Sequence, residues 1–155
     1  MRTASPLIDP IMEIMDLAFD PVFGEAWNRR QIADALAMPS THALVVDANG
    51  QLVEKTDRAA AGFVLTRHAP DEEELLLIAV SPSHRGRGLG ERLLALLFEN
   101  ARMRGAARIY LEMRRGNPAV RLYEKAGFEP IGVRPNYYRM TNGERIDAIT
   151  FGRTI

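Results

Sequence analysis

The sequence predicts an α+β domain built on a mixed sheet. Three observations carry that reading. Apolar residues recur at helical spacing near the start of the chain, and then the period shifts to that of strands between His42 and Val80. A strand–helix–strand unit follows, running from Glu74 through a long amphipathic stretch to Met113. A short helix and two further strands complete the pattern, so the strands form a meander first and a crossover second. The 155 residues suit a single domain over 1–155. A composition of 46% hydrophobic and 26% charged residues fits an ordinary globular chain rather than a disordered one.

Taken in order, Ile11, Ile14, Met15 and Ala18 fall on one helical face, which predicts an amphipathic helix over Pro10–Phe19. A second short helix is expected over Asn28–Met38, ended by Pro39. His42–Asp47 reads as a strand closed by the turn Ala48-Asn49-Gly50, and Ala60–Arg67 as the next. The acidic run Asp71–Glu74 reads as a solvated loop. Glu74–Val80 is a nearly continuous apolar run, the mark of a strand buried on both faces. Leu89, Leu93, Leu94, Leu97 and Ala101 line one side of a helix reaching about Met103. Arg108–Met113 is a strand. Pro118–Ala126 is a helix with Pro just inside its start and Gly127 just past its end. Phe128–Arg134 and Ile146–Arg153 are the final strands.

Composition excludes several functions. Lys plus Arg and Asp plus Glu are 20 each, so the net charge is zero, which argues against a protein that grips nucleic acid along its length. The absence of cysteine removes disulfides, thiolate metal sites and a cysteine nucleophile. His42, His68 and His84 have no metal-ligand spacing, so no metal is expected. No apolar run approaches the ~20 residues that span a bilayer, and Met1–Pro10 lacks the apolar core of a signal peptide. A cytoplasmic location is the expectation.

Charge is unevenly distributed. Residues 1–84 carry 6 basic and 13 acidic side chains, whereas residues 85–125 carry 10 basic and 4 acidic ones. The basic segment opens on Val80-Ser81-Pro82-Ser83-His84-Arg85-Gly86-Arg87-Gly88-Leu89-Gly90-Glu91, between a buried strand and a long helix. Glycines let ligand oxygens approach the backbone, and the N–H groups and dipole of a helix start favour an anion. The stretch is therefore a candidate phosphate cradle. A P-loop would need Gly-Lys-Ser/Thr, which is absent. The dinucleotide fingerprint fails at its third glycine, although Glu112 lies about where a ribose-binding acid would stand.

Arg85-Gly86-Arg87-Gly88-Leu89-Gly90 resembles the acetyl-CoA signature of the GNAT superfamily of N-acetyltransferases. Leu111-Glu112-Met113-Arg114, Asn117, Leu122-Tyr123-Glu124-Lys125-Ala126-Gly127-Phe128, Arg134-x-Asn136-Tyr137-Tyr138 and Asp147-Ala148 follow in an order similar to the bacterial ribosomal-protein alanine N-acetyltransferases. The likeness runs from about Ala18-Phe19 to the C-terminus. It implies the GNAT fold, a mixed, mostly antiparallel sheet of about six or seven strands flanked by about four helices. The first strand of that fold would have to fit within Met1–Ser5.

The resemblance also implies the chemistry: transfer of an acetyl group from acetyl-CoA to a primary amine by direct attack in a ternary complex. It assigns the pyrophosphate of coenzyme A to the backbone of Arg85, Gly86, Arg87, Gly88, Leu89 and Gly90. The pantetheine and thioester fall to the backbone of Ile78, Ala79 and Val80, with the Val80 N–H facing the developing oxyanion. Asn117 is implied as a further coenzyme contact, and it also suits a helix N-cap. Glu112 matches the general base and Tyr123 the general acid; a salt bridge to an arginine and plain helix packing are their structural alternatives. Tyr137 and Tyr138 match an acceptor groove. From Glu112 to Tyr123 the chain advances 11 residues where the relatives usually have 12, a difference that falls between Asn117 and Leu122. The implied partner is a protein N-terminus, that of a small-subunit ribosomal protein, with no contact to nucleic acid or membrane and a monomeric enzyme. A small-molecule amine, a lysine side chain, or an acyl-CoA sensor without catalysis are the alternatives.

Overall fold

The computed structural model describes residues 6–54 and 59–155. The implied strand within Met1–Ser5 lies outside them. Helix α1 (Ile8–Ala18) leads through a 3-10 turn at Pro21–Phe23 to helix α2 (Arg29–Leu36). Asn28 caps α2: its side chain accepts from the Gln31 N–H and the Gln31 side chain accepts from the Asn28 N–H, both at 2.8 Å. Strands β1 (Thr41–Val46), β2 (Gly62–Ala69) and β3 (Glu72–Val80) form the meander. Helix α3 (Leu89–Met103), strand β4 (Arg108–Arg114), helix α4 (Val120–Lys125) and strands β5 (Glu129–Arg139) and β6 (Arg145–Thr154) complete the order.

The six strands form one sheet in the order β1-β2-β3-β4-β6-β5, and every pair is antiparallel except β3 with β4. A crossover through α3 is what permits that parallel pair. The α+β class and the strand count agree with the sequence reading.

A core lies on each face of the sheet, while β5 is exposed along nearly its whole length. Leu93, Leu94, Leu97, Ile109, Leu111 and Phe151 form the core under α3 and α4. Ile11, Ile14, Met15, Ile32, Phe63 and Leu65 form the core under α1 and α2. Strand β3 feeds both. A bulge opposite Leu65 and Thr66 makes Leu75 face α3 while Leu77 and Ala79 face α1. One extra residue reverses the faces of all that follow, since side chains alternate with a period of two.

Three expectations are corrected. Residues Glu72–Glu74 are not a solvated loop: they belong to β3, and Glu73 is fully buried. Its carboxylate takes two hydrogen bonds from Arg104, at 2.8 and 2.6 Å, and one from Thr66 Oγ1 at 3.0 Å. A buried carboxylate persists where such partners replace water. Helix α4 begins at Val120, so Pro118 precedes it and Asn117 caps the preceding turn, accepting from the Ala119 N–H at 2.9 Å. Strand β5 continues to Arg139 because a bulge absorbs Pro135, which cannot donate to a ladder.

Candidate active site

The site is made by a failure of pairing. Strands β3 and β4 are in register only from Glu72 opposite Arg108 to Leu75 opposite Leu111. Beyond that point β3 runs on to Val80 and β4 to Arg114 without pairing. The gap opens into a cleft of about 800 Å³, lined by Leu76–Val80 on one wall and Glu112–Arg114 on the other. Ala18–Asp20, Phe23, Glu25, Gly90, Asn117, Leu122 and Tyr123 complete its lining.

Backbone direction follows from one hydrogen bond. The Ser81 N–H donates to Ala61 O at 2.7 Å, toward β2. Alternate N–H groups of a strand point to opposite edges, so those of Val80 and Ile78 point toward the cleft. Their side chains are partly buried against the α3 core, which leaves the backbone as the part that can meet a ligand there.

The glycine loop opens the cleft at the start of α3. Gly86 and Gly88 have φ of 78° and 77°, in the left-handed region where only glycine sits without strain. A Cβ at either position would meet nothing within 4 Å. These two glycines therefore serve conformation, and the space beside them is open. Gly90 serves packing: a Cβ there would lie 3.1 Å from Leu122 Cδ2, so the glycine lets α4 approach α3. Arg92 N–H is the first to bond within the helix, to Gly88 O at 3.0 Å. The N–H groups of Leu89, Gly90 and Glu91 thus have no intrahelical acceptor, and they lie at the positive end of a helix of 15 residues. Leu89 contributes backbone alone, because its side chain is in the core. Arg85 lines the cleft and donates to Ala18 O at 3.0 Å, tying the loop to the end of α1. Arg87 is exposed at the loop surface. Open space, converging donors and positive charge fit the pyrophosphate of a coenzyme A.

Glu112 and Tyr123 line the same cleft from β4 and α4. Glu112 Oε2 is 3.0 Å from Arg134 Nε, and Thr150 Oγ1 donates to it at 3.4 Å. The arginine pairing expected as the structural alternative for this carboxylate forms, with Arg134 of β5 as the partner. Tyr123 is buried at 5% exposure, its ring edge-on to Phe128 at 5.8 Å. Burial, with the Glu25 carboxylate nearby, pushes its hydroxyl far above the ordinary tyrosine range.

Glu25 has no signal in the sequence: it stands in an irregular segment before α2, outside any periodic run. In space it joins the site. Arg114 Nε lies 3.2 Å from its Oε1, Asn117 Nδ2 donates to its Oε2 at 3.4 Å, and the Arg114 guanidinium sits 3.5 Å over the Phe23 ring. Tyr138 is half-buried beside both carboxylates. Burial first, then the charges of Glu112 and Glu25, push its hydroxyl up to about 12. Tyr137 is exposed, with the Arg134 guanidinium 4.7 Å over its ring and Tyr138 edge-on at 5.2 Å. Adjacent residues of a strand face opposite ways, so of the two tyrosines Tyr138 takes the inner place.

Among the described residues no group of three or more His, Asp or Glu side chains could hold a metal ion, and no helix is long and apolar enough to cross a membrane.

Comparison with known proteins agrees with this geometry. Residues 8–128 match the acetyltransferase (GNAT) family. The chain is 42% identical over 102 residues to the [ribosomal protein bS18]-alanine N-acetyltransferase of Escherichia coli, covering 65% of this chain and 67% of that one. It is 36% identical over 135 residues to the N-alpha-acetyltransferase RimI of Mycobacterium tuberculosis, covering 86% and 76%. The crystal structure of the ribosomal-protein-S18-alanine N-acetyltransferase from Escherichia coli superposes with a TM-score of 0.79 at 30% identity, over 100% of this chain and 94% of that one. With the splayed strands and the glycine loop at the start of α3, these likenesses identify an acetyl-CoA-dependent acetyltransferase, and the chain belongs to the acetyltransferase (GNAT) family.

Proposed function

We propose that the chain acetylates the α-amine at the N-terminus of a protein, specifically the N-terminal alanine of a small-subunit ribosomal protein, in the cytoplasm and as a monomer. The acceptor follows the activity of the relatives. One observation carries the reading. Glu112 and Tyr123 stand on separate elements around a single cleft, beside the strand whose unpaired N–H groups face it.

Acetyl-CoA supplies an acetyl thioester, the electrophile for the amine. The chain's residues do the rest. Backbone N–H groups of Arg85–Gly90 and the start of α3 hold pyrophosphate, and Ile78, Ala79 and Val80 hold the pantetheine arm by main-chain contacts. Val80 N–H is placed to stabilise negative charge on the carbonyl oxygen. Asn117 braces the loop before α4. The α-amine has a pKa near 7.7–8.0 against about 10.4 for lysine, so an appreciable minority is neutral near pH 7 and a carboxylate base is sufficient. Glu112 accepts the proton that the amine loses, directly or through one water. Burial opposes the charged form of Tyr123, so it stays protonated and its hydroxyl can donate a hydrogen bond to the leaving thiolate, the place that the general acid takes; the thiolate's proton comes finally from solvent. Glu25, Tyr137 and Tyr138 surround the entry for the acceptor, where a carboxylate attracts a cationic N-terminus. No covalent enzyme intermediate is required, which suits a chain without cysteine.

The test follows free thiol release from acetyl-CoA with two peptides. One begins with alanine and copies the start of the ribosomal protein; the other has a blocked N-terminus and one internal lysine. Release with the first alone supports the proposal. Release with the second alone replaces it with a lysine acetyltransferase. Release with neither moves the acceptor to a small-molecule amine or the chain to a sensor role.

A further inference from the structure

Two elements of the sequence pattern have no part in the chemistry above: Asn136, ahead of the paired tyrosines, and Asp147, ahead of Ala148. They meet in space. Opposite Ala148 stands Arg134, and opposite Ile146 stands Tyr138, so four steps of β5 are matched by two of β6. Asn136 lies at the turn of this bulge with φ of 54°, one of two non-glycine residues with positive φ among the described residues. Asparagine tolerates that region better than most side chains, but something must hold it there. Its N–H, which the bulge removes from the ladder, donates to Asp147 Oδ1 at 3.0 Å. The other carboxylate oxygen of Asp147 is 3.2 Å from Arg115 Nε, and the Arg115 N–H donates to Asp147 O at 2.9 Å. Arg145 donates to Asn136 O at 3.4 Å.

The two ends of the bulge reach the active site. Arg134 at one end holds Glu112 Oε2 at 3.0 Å, and Tyr138 at the other lies beside Glu112 and Glu25. A change in bulge shape would move both. The hydrogen bonds and ion pairs that hold the bulge join β4, β5, β6 and Arg115, whereas the glycine loop lies between β3 and α3.

We infer that Asp147, steadied by Arg115, is a positioning residue for the acceptor side of the site: its carboxylate replaces the missing ladder partner of Asn136 and so fixes Arg134 on Glu112 and Tyr138 at the acceptor entry. The inference rests on the acceptor reading given above. The Asp147 carboxyl is held below its ordinary range, first by the Asn136 N–H and then by Arg115, so it stays charged at working pH. Asp147→Asn would keep the oxygen that Asn136 needs but put an amide NH2 in place of the oxygen that accepts from Arg115, so it loses that ion pair while sparing the bulge contact.

The experiment compares wild type, Asp147→Ala and Asp147→Asn in two readouts. The first is the KM of the alanine-initial peptide against the KM of acetyl-CoA. We expect Asp147→Ala to raise the peptide KM about tenfold or more and to leave the acetyl-CoA KM within about twofold, while Asp147→Asn recovers most of the loss. The second is the hydrogen-exchange rate of the Asn136 amide, which needs no turnover: faster in Asp147→Ala, near wild type in Asp147→Asn. An unchanged peptide KM or an unchanged exchange rate in Asp147→Ala overturns the positioning role. Equal rises in both KM values overturn it too, since a general loss of structure would give that. No thiol release by the wild type with the peptide overturns the acceptor reading instead, and the exchange readout then still decides whether Asp147 holds the bulge.

Discussion

Replacing Arg104 with alanine should destabilise the chain strongly, and acid should partly relieve the damage. Glu73 is fully buried in β3, inside the short stretch where β3 and β4 pair before they splay. It marks the closed end of the cleft. Arg104 donates two hydrogen bonds to it; Thr66 donates one, and His68 Nδ1 lies 3.4 Å away. Removing one partner of a buried pair leaves an uncompensated charge, at a cost of about 3–5 kcal/mol. The Arg104 side chain is 23% exposed, so water can reach part of the vacated space, which puts the expectation near the lower end, about 3 kcal/mol. For a chain of this length that is a fall in Tm of about 6–12 °C.

The sign of the pH dependence separates this account from simple loss of packing. Burial pushes the Glu73 carboxyl up, but hydrogen bonds and charge from Arg104, aided by Thr66, bring it below its ordinary value. In the wild type its contribution is therefore present above the unfolded carboxyl value, about 4.3, and lost as pH falls through the lower folded value. Without Arg104 burial dominates and the folded value rises above the unfolded one. The variant should then regain stability between about pH 7 and pH 5, as the buried carboxyl takes up a proton. Thermal unfolding of both proteins across that range reads the difference directly. Glu73→Leu combined with Arg104→Leu should recover most of the loss. A loss under about 1 kcal/mol, or a gap between the curves that does not narrow on acidification, would refute the reasoning.

Other outcomes can be stated more briefly. Tyr123→Phe keeps the ring against Phe128 and should leave Tm within about 2 °C, while turnover falls roughly 10²–10⁴-fold; wild-type turnover would remove Tyr123 as the acid. Gly90→Ala gains about 0.8–1 kcal/mol of helix propensity but drives a Cβ to 3.1 Å from Leu122 Cδ2, so thermal stability should change little while the acetyl-CoA KM rises roughly severalfold, measured by thiol release at saturating peptide. Gly50→Ala must hold φ of 77° and would crowd Arg92 Cγ at 3.2 Å, which predicts a loss of about 1–2 kcal/mol in denaturant unfolding with no change in the KM of either substrate.

Much of this protein is determined by sequence alone. The period of apolar residues locates α1, α3 and the strand runs, because burial on one face imposes 3.6 or 2 on the pattern. Gly86, Gly88 and Gly90 stand between a buried strand and a helix, a local arrangement that needs no distant partner to be recognised. Glu112 and Tyr123 are legible only through the order of surrounding motifs, since an acid on a strand and a tyrosine on a helix are common.

Other features were decided by the tertiary structure. Glu73 reads as solvated from its acidic neighbours, yet the distant Arg104 makes its burial tolerable. The bulge at Leu65–Thr66 turns Leu77 away from the core that holds Leu75, and no local signal announces an unpaired residue in an apolar run. Glu25 joins the site through Arg114, 89 residues on, and Asp147 shapes the acceptor side through the Asn136 N–H, 11 residues back across a hairpin. Periodicity and turn chemistry are local, so one dimension records them. Ion pairs, strand splay and the environment of a carboxylate depend on which segments the fold brings together, and the chain order does not contain those distances.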